Sequence, residues 1–500
     1  MHSANAAGAS EEGTIRMTAT QVDTKQLFID GTWRDGVAGR HAEILDPATG
    51  QVVALVADAD GADVGAAVSA ARTAFESGPW ASMSSRERSR ILHRAAELIR
   101  ENAEELAQLE SLDVGKPVSL CLPVDVLTAA DQYEYYAGLA QTLEGATRDT
   151  ALNAFAYTRR EPLGVVAAIT PFNFPLILSS SKIAPALAAG NTVVHKPADE
   201  TPLSALYIAD LLQRAGLPDG VLNVVTGSGP IAGEALLRHP GVDKIAFTGS
   251  TKVGRHAAAV AGADLKPVMV ELGGNGAHVV FEDADVEKAI GAVIKGFVFN
   301  TGQFCMAGPR LLVARPLYDT VLGILAQAVP GVPVGDPRDP RTVIGPMAGE
   351  RHLVKVEQFV AQARQDGGRV VCGGERLDLD GGFYFQPTVI ADLPNDSSVI
   401  LEEIFGPVLT VQAFDTEDEA VALANGTPYG LAAGLQTRDL ARAHRVAARL
   451  QAGIVWVNDW AMLDPAVPFG GVKSSGYGRE YGPEALEAYT QVKSVVISLD

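Results

Sequence analysis

Three widely separated residues of this 500-residue chain have side chains that could carry covalent chemistry. Cys305 lies in the stretch 299–310, just past a Gly-Gln turn at the end of an apolar run, where a thiol can be presented as a nucleophile. Glu271 ends an apolar predicted strand and precedes Leu-Gly-Gly, so burial there could tune it as a general base. Asn173, in Pro-Phe-Asn-Phe-Pro, could donate a hydrogen bond to a developing oxyanion.

Each of these residues also has an ordinary structural interpretation. Free cysteine is among the most buried residue types, a glutamate at a strand end commonly faces solvent, and an asparagine after a strand commonly forms a turn. A single cysteine such as Cys305 therefore indicates catalysis only if suitable partners meet it in the fold.

Two glycine-rich turns could hold a nucleotide. Gly227-Ser228-Gly229 is followed by Gly233, but three residues separate the last two glycines, so the segment is not the GxGxxG fingerprint. Gly249-Ser250-Thr251 lies between a predicted strand and a predicted helix, so its amides could bind a pyrophosphate. From these residues alone, nucleotide binding and simple chain reversal both stay open.

Composition narrows the class of protein. Hydrophobic residues make up 47% and charged residues 20%, with 51 glycines and 28 prolines, as expected for a globular α/β protein. The net charge of −20 and pI near 4.9 disfavour nucleic acids and anionic membranes as partners. No apolar run approaches the roughly 20 residues of a membrane span.

Cysteine usage indicates a reducing compartment. The three cysteines, Cys121, Cys305 and Cys372, are odd in number and form no CxxC pair or Cys/His cluster, so we expect neither disulfides nor a metal site. Residues 1–22 lack the basic and apolar segments of a signal peptide and are predicted to be a flexible extension. These features predict a cytoplasmic protein.

The elements that must position these residues alternate between strand and helix. Short antiparallel strands are predicted within residues 26–57. Helices follow, including one that begins at Ser84, with Glu87 completing a capping box, and ends at Gly115-Lys116-Pro117. Residues 164–272 and 276–470 then read as two α/β blocks, which predicts parallel sheets in two lobes with ligands at the carboxyl ends of the strands.

Two further strands are predicted at 151–160 and 491–499, the second rich in β-branched residues. An apolar strand at the end of a chain is hazardous if left open, so we expect it to pair with another subunit.

Seven ordered motifs together resemble the aldehyde dehydrogenase superfamily, from about Gln26 onward. They are Pro-Phe-Asn-Phe-Pro (171–175), Lys-Pro-Ala (196–198), Phe-Thr-Gly-Ser-Thr (247–251), Glu-Leu-Gly-Gly (271–274), Gly-Gln-Phe-Cys (302–305), Glu-Glu-Ile-Phe-Gly-Pro (402–407) and Pro-Phe-Gly-Gly-Val-Lys-Ser-Ser-Gly (468–476). The resemblance implies an α/β subunit of three parts. These are a Rossmann-like NAD-binding domain (23–142 and 163–272), an α/β catalytic domain (273–474) and a small β oligomerisation unit (143–162 and 487–500).

The same resemblance implies roles for the candidate residues. The Cys305 thiolate would attack an aldehyde, Glu271 would activate the water that hydrolyses the thioester, and the Asn173 amide with the Cys305 backbone N–H would hold the oxyanion. Residues similar to the family's cofactor contacts are Lys196, Asp199, Thr170, Pro171, Phe172, Gly229, Gly233, Phe247, Gly249, Ser250, Leu272, Gly273, Glu403 and Phe405. A carboxylate at Asp199 would bind ribose hydroxyls and repel a 2′-phosphate, which favours NAD and leaves NADP as the alternative.

One residue departs from the usual family pattern. Asn275 follows Glu-Leu-Gly-Gly, where most members have lysine, which puts local hydrogen bonding in question. Glu271 is retained, whereas CoA-acylating relatives lack it, so the resemblance implies hydrolytic release of the acid.

The expected aldehyde channel is mostly apolar and aromatic. Its predicted lining is Phe174, Phe304, Met306, Trp460, Leu463 and Phe469. Such a lining favours an aromatic or medium-chain aldehyde, and residues 464–471 resemble arylacetaldehyde dehydrogenases. Trp460 leaves a betaine-aldehyde type open, because a trimethylammonium group binds aromatic rings; a semialdehyde dehydrogenase is another alternative.

Two alternatives lie outside this activity: a catalytically silent relative kept for binding, and a cofactor-independent thiol esterase. The expected assembly is a homotetramer or a homodimer.

Overall fold

The computed structural model describes residues 23–500, so the extension predicted for residues 1–22 lies outside the described residues. The strands, in chain order, are β1 Asp23–Lys25, β2 Leu27–Ile29, β3 Thr32–Arg34, β4 His41–Leu45, β5 Val52–Ala57, β6 Thr147–Arg148, β7 Ala154–Pro162, β8 Val165–Ile169, β9 Thr192–Lys196, β10 Leu222–Val224, β11 Lys244–Thr248, β12 Val268–Glu271, β13 Ala277–Val280, β14 Arg310–Ala314, β15 Arg369–Cys372, β16 Arg376–Leu377, β17 Tyr384–Phe385, β18 Thr388–Ala391, β19 Val408–Phe414, β20 Ala432–Gln436, β21 Ile454–Val457, β22 Gly476–Tyr477 and β23 Thr490–Ser498.

The α-helices are α1 Gly61–Glu76, α2 Pro79–Ser82, α3 Ser85–Glu101, α4 Ala103–Val114, α5 Val118–Leu120, α6 Leu127–Leu139, α7 Pro175–Ala189, α8 Leu203–Arg214, α9 Glu234–Arg238, α10 Thr251–Ala263, α11 Val286–Val298, α12 Tyr318–Ala328, α13 Glu350–Gln365, α14 Ser398–Leu401, α15 Glu417–Asn425, α16 Leu440–Ala447 and α17 Gly482–Ala488. π-Helical turns span Cys121–Val126 and Gly229–Gly233, and short 3-10 turns span Phe299–Gly302, Arg315–Leu317, Val329–Gly331 and Lys473–Ser475.

An eight-stranded sheet, in the order β22-β12-β11-β8-β9-β10-β2-β3, carries the first α/β block. Strands β12, β11, β8, β9 and β10 run parallel. Strand β8 is buried throughout, and its alternate residues join two separate apolar cores, one on each face of the sheet. This is the continuous apolar pattern of a parallel sheet covered on both sides, as the sequence predicted.

The carboxyl ends of four parallel strands meet at one edge of this sheet. Ile169 pairs with Lys196, and Thr248 pairs with Glu271. The segments that follow β8, β9, β11 and β12 therefore emerge side by side, at the edge where such sheets bind ligands.

A seven-stranded sheet, in the order β15-β18-β19-β14-β13-β20-β21, carries the second block, and β15 is its antiparallel member. The segment with Cys305 connects α11 to β14. Strand β14 lies in the middle of the sheet, between β13 and β19.

The two strands predicted near 151–160 and 491–499 pair with each other. Strands β7 and β23 are antiparallel over nine residues, from Ala154 opposite Ser498 to Pro162 opposite Thr490. With β6 they form a small separate sheet in which β23 is an edge strand. Among residues 23–500, no helix is both long and apolar enough to cross a membrane.

The long helix predicted from Ser84 ends before Gly115, as predicted, but the prediction is wrong at one point. Its capping box is present at Ser84 and Glu87, but the helix breaks at Asn102, whose side-chain amide donates to the Leu98 carbonyl at 2.7 Å. The Asn102 backbone N–H donates to the same carbonyl at 3.1 Å, but its φ of −108° and ψ of 23° leave the helical region, so one predicted helix becomes α3 and α4.

The antiparallel strands predicted within residues 26–57 are present as the pairs β2–β3 and β4–β5, but their other partners were not predicted. Strand β1 pairs with β5 in parallel, and the antiparallel hairpin β2–β3 extends the eight-stranded sheet through β10. Turn residues set where these strands end, but not which neighbour each one finds.

Candidate active site

The segment before Cys305 has an unusual backbone. After α11, Asn300, Thr301 and Gly302 all have positive φ angles of 47°, 57° and 72°. This left-handed region is costly for a β-branched residue such as Thr301. The strained run is buried and turns the chain from α11 towards Cys305.

Two glycines let other segments approach the nucleophile segment. A Cβ on Gly302 would lie 2.1 Å from the Gly406 carbonyl oxygen, and a Cβ on Gly274 would lie 2.0 Å from the Cys305 carbonyl oxygen. Gly274 follows the strand that ends in Glu271. The glycines after Glu271 therefore allow the base-bearing strand and the thiol-bearing segment to touch.

Asn173 is buried and directly joined to the same segment. Its Nδ2 donates to the Gln303 carbonyl at 2.8 Å, two residues before Cys305. A primary amide has two N–H donors, and among the described residues this bond is the one that Asn173 Nδ2 makes. The structure thus places the predicted oxyanion donor beside the predicted nucleophile.

Glu271 is buried at the end of β12, and neither of its carboxylate oxygens has a hydrogen-bond partner among the described residues. Burial raises the pKa of Glu271 well above its ordinary value, and the nearby Glu480 carboxylate adds to this effect. Lys182 and Arg479 oppose it. A carboxylate with unused oxygens and a raised pKa has the properties of a general base.

The Cys305 thiol is partly exposed and free. Burial raises its pKa, and the carboxylates of Glu403, Glu271 and Glu480 raise it further. Gly274, three residues after Glu271, lies against the Cys305 carbonyl oxygen, so the structure brings the segments of the predicted nucleophile and the predicted base together.

A buried polar group lies behind Glu271. Lys182 of α7 pairs with Glu480, and its Nζ also donates to Thr248 Oγ1 at 2.6 Å. Ser181 Oγ donates to Glu480 Oε2 at 2.9 Å. A buried ion pair needs such extra hydrogen bonds to offset desolvation.

The residues predicted to bind the adenine side of a cofactor lie at the carboxyl edge of the first sheet. Lys196 ends β9 and is buried, and burial lowers its pKa to about 8, opposed by Asp199 and Asp58. Asp199 is exposed. Gly233 lies against the Lys196 side chain and, like Gly229, belongs to the π-helical turn that follows β10.

A helix N-terminus lies at the same edge. Ser250 caps α10 through its side chain, and Gly249 has no room for a Cβ because the Phe247 ring would be 2.6 Å away. The first turn of a helix attracts phosphate. A lysine, a carboxylate and this helix terminus together match the phosphate and ribose groups of a dinucleotide.

Glu403 lies where the two blocks meet. Its Oε1 accepts from the Gly274 N–H at 2.8 Å, and a Cβ on Gly273 would fall 2.3 Å from its Oε2. Burial raises the pKa of Glu403 to about 7, opposed by the Gly274 N–H and Lys355.

The remaining predicted cofactor residues surround this point. The Phe172 ring lies 5.8 Å from that of Phe405 and 4.1 Å from that of His352. Thr170 Oγ1 hydrogen-bonds His195 Nε2 at 2.9 Å, half-buried Pro171 follows it, and Leu272 packs against Gly254 of α10.

All six residues predicted to line the aldehyde channel belong to one apolar cluster that also contains Cys305. Phe174, Phe304, Trp460 and Phe469 are buried in it, and Met306 and Leu463 are partly exposed at its margin. Neighbours not predicted from the sequence are Val124, Ile177, Leu178, Phe299 and Tyr481.

Trp460 occupies a different place from the expected one. Its indole is fully buried, donates to the Met306 carbonyl at 2.9 Å and stacks on His278. Gly308 and Gly434 lie so close that a Cβ on either would be within 2.8 Å of the ring. With its faces and edges covered, Trp460 supports the nucleophile segment from behind.

Comparison with known proteins agrees with this geometry. The model of the aldehyde dehydrogenase family matches residues 33–495. The chain belongs to the aldehyde dehydrogenase family. The Bacillus subtilis (strain 168) protein DhaS is 43% identical over 487 residues, which cover 97% of this chain and 98% of DhaS.

Solved aldehyde dehydrogenases share the fold. The NAD+ complex of the Bacillus cereus aldehyde dehydrogenase is 44% identical, with a TM-score of 0.94 over 95% of this chain and 97% of that one. The P. syringae indole-3-acetaldehyde dehydrogenase AldA, in complex with NAD+ and IAA, is 41% identical, with a TM-score of 0.93 over 95% and 97%.

Several residues at the site of this aldehyde dehydrogenase were not predicted from its sequence. They are Ser181, Lys182, Asn300, His352, Lys355 and Glu480. One signal was present: Ser-Ser-Ser-Lys at 179–182 interrupts an otherwise apolar helix, and polar residues buried in a helix require partners. Their partner Glu480 lies 298 residues away, beyond any local pattern.

Proposed function

We propose that this protein oxidises an aldehyde to a carboxylic acid with NAD+ and water, using Cys305 as the nucleophile. The observation that carries the proposal is the convergence of Cys305, Glu271 and Asn173. The segment that follows Glu271 touches the Cys305 main chain at Gly274, and Asn173 is hydrogen-bonded to Gln303, two positions before Cys305.

The chain's own residues account for the covalent steps. The Cys305 sulfur bonds to the aldehyde carbon as the thiol proton passes to solvent water, and the Asn173 amide with the Cys305 N–H binds the oxygen that gains negative charge. A nicotinamide cofactor held by Lys196, Ser250 and Glu403 would supply the hydride acceptor that oxidation of the adduct to a thioester requires. Glu271 then takes a proton from water, which attacks the thioester carbon, so that the acid leaves and the thiol is restored.

The cofactor residues support NAD. Lys196, Ser250 and Glu403 offer groups for the ribose and phosphate parts of a dinucleotide, and exposed Asp199 partly offsets the lowering of the Lys196 pKa by burial. A carboxylate at that position disfavours a 2′-phosphate by like-charge repulsion, so we expect NADP to be the poorer cofactor.

The apolar cluster around Cys305 supports an aromatic or medium-chain aldehyde. Its walls are aromatic and aliphatic, and such walls select ligands by shape and burial. The likeness to the P. syringae indole-3-acetaldehyde dehydrogenase favours arylacetaldehydes within that class. The closed surroundings of Trp460 weaken the betaine-aldehyde alternative, which needs an accessible aromatic cage.

Assembly through the small sheet belongs to the same proposal. Val492, Val496 and Ile497 of β23 are about half exposed or more, as are Leu499 after it and Leu152 and Phe155 beside it. Exposed apolar patches on an edge strand favour pairing with a second copy. The three-part domain division and a cytoplasmic location remain predictions.

The test is turnover with a panel of aldehydes, followed through the absorbance of reduced nicotinamide. The panel comprises phenylacetaldehyde, indole-3-acetaldehyde, hexanal, betaine aldehyde and succinic semialdehyde, each with NAD+ and with NADP+. We expect the highest kcat/KM for the arylacetaldehydes with NAD+, and no turnover in Cys305→Ala. Cys372→Ser is the matched control. No reduced cofactor with any aldehyde would overturn the proposal.

A further inference from the structure

Both the backbone conformation and the buried surroundings at position 300 favour an asparagine that makes hydrogen bonds. Its φ of 47° and ψ of 40° are left-handed, and asparagine is one of the few residues besides glycine that visit this region routinely. The residue is buried, so its amide must find partners inside the protein.

The Asn300 amide joins the two halves of the site. Its Nδ2 donates to the Asn173 backbone carbonyl at 2.9 Å and to the Gln303 carbonyl at 3.1 Å. The Asn173 side chain donates to the same Gln303 carbonyl at 2.8 Å. The Gln303 carbonyl oxygen therefore accepts hydrogen bonds from both side-chain amides. The Asn300 amide also donates to the backbone carbonyl of Asn173, whose side chain is the predicted oxyanion donor.

The cross-link spans segments from different blocks of the chain. Asn173 follows β8 of the eight-stranded sheet, whereas Asn300 and Gln303 lie between α11 and β14 of the seven-stranded sheet. Gln303 is tied in turn to the second block, because its Oε1 accepts from the Ala348 N–H at 2.9 Å.

We infer that Asn300 is a positioning residue that holds the Asn173 amide in register with Cys305 for oxyanion binding. The inference rests on the proposed aldehyde oxidation. Without the amide, Asn173 keeps one bond to Gln303 but loses the anchor on its own main chain. A displacement of about 1 Å at a reacting group costs roughly 10²-fold in rate.

Two substitutions distinguish the role of the Asn300 side-chain amide from that of its left-handed backbone conformation. Asn300→Gly keeps the left-handed conformation, since glycine adopts it freely, and removes the amide. Asn300→Asp keeps the size and shape but turns a donor into an acceptor that faces two carbonyl oxygens. Asn425→Gly is the control, because Asn425 also bridges two backbone groups, Arg449 O and Gln451 N, away from the site.

Four quantities are measured for each variant: kcat and KM with phenylacetaldehyde and NAD+, the rate of Cys305 alkylation by iodoacetamide, and the melting midpoint. For Asn300→Gly we expect kcat to fall roughly 10²-fold while KM and the alkylation rate stay within a few-fold of wild type, because alkylation needs the thiol but no oxyanion site. Asn425→Gly should retain the wild-type kcat.

Two results would overturn the inference. One is a wild-type kcat in Asn300→Gly; the other is a parallel fall in kcat, alkylation rate and melting midpoint, which would mean a general collapse of the segment. If Asn300→Gly does not fold, the isosteric Asn300→Asp is judged by the same criteria. A wild-type protein with normal alkylation but no turnover would overturn the proposed function, and the inference with it.

Discussion

At the scale of single residues, the site places an acid and a thiol where ionisation is costly. Burial raises the pKa of both Glu271 and Cys305, so ionising either group costs more here than in water. A neutral Glu271 becomes a strong base only once it loses its proton, and a neutral thiol does not attack until it ionises. Burying these two groups therefore costs folding stability, and it makes each group more reactive once it has ionised.

The raised pKa of Glu271 predicts how the stability of the folded protein depends on pH. The folded pKa of Glu271 lies above its ordinary value of 4.5. As pH rises from that value towards the folded pKa, the unfolded chain releases its proton first, so wild-type stability falls. Glu271→Gln cannot ionise, and its melting midpoint should exceed that of wild type by an amount that grows with pH.

The control for this prediction is Glu43→Gln, which changes an exposed glutamate on β4. Because this side chain is solvated, the substitution should change the melting midpoint little. Each unit of pKa shift corresponds to about 1.4 kcal/mol. A difference in melting midpoint between Glu271→Gln and wild type that stays the same from pH 5 to pH 8 would contradict this prediction.

Sequence motifs predicted the reactive residues but not their supports. Cys305, Glu271 and Asn173 stand in short recognisable stretches, because their chemistry requires particular neighbours. Asn300 stands five residues before Cys305, and nothing in its local sequence shows that its amide reaches Asn173. Such contacts depend on how distant segments pack, which a local pattern does not contain.

At the scale of elements, strand ends and glycines bring the site together. The parallel register of β8, β9, β11 and β12 aligns their carboxyl ends. The alternation of strands and helices was predicted from apolar periodicity. The break at Asn102 and the π-helical turn Cys121–Val126 were not, because each depends on hydrogen bonds that compete with a regular helix.

Gly274 offers a test at this scale. Gly274→Ala places a Cβ 2.0 Å from the Cys305 carbonyl oxygen, so either the nucleophile segment or the segment after β12 must move. We expect kcat to fall roughly 10²-fold or more, measured by reduced-nicotinamide absorbance.

The matched control is Gly323→Ala in α12, where an added Cβ meets nothing within 4 Å. This change should leave kcat unchanged and stabilise the helix by about 0.5–1 kcal/mol. Equal activity in the two alanine variants would show that the close approach at Gly274 is not needed.

At the scale of the whole molecule, the two large sheets supply the two halves of the site, and the small sheet lies apart from both. Composition and alternation predicted the α/β class and the two blocks. They did not predict that β22, which comes after the second block, returns to pair with β12 of the first sheet. Local signals do not specify such a long-range return.

The exposed apolar residues of the small sheet indicate that the protein assembles through this surface. Val492 and Val496 lie on one face of β23 and are 59% and 58% exposed. Replacing both with lysine should shift the protein to a smaller species in size-exclusion chromatography with light scattering, because charges on an edge strand oppose pairing. Leu440→Lys, at a site 73% exposed on α16, should leave the mass unchanged. An unchanged mass in the double variant would rule out this surface.

The most direct test of Cys305-based aldehyde oxidation is to trap its acyl intermediate. Glu271→Gln, mixed with NAD+ and phenylacetaldehyde and then quenched with acid, should release one reduced cofactor per site in a burst. Intact mass and peptide mapping should then show an acyl group on the peptide 299–310, at Cys305. Full steady-state turnover of this variant without any adduct on that peptide would contradict the account.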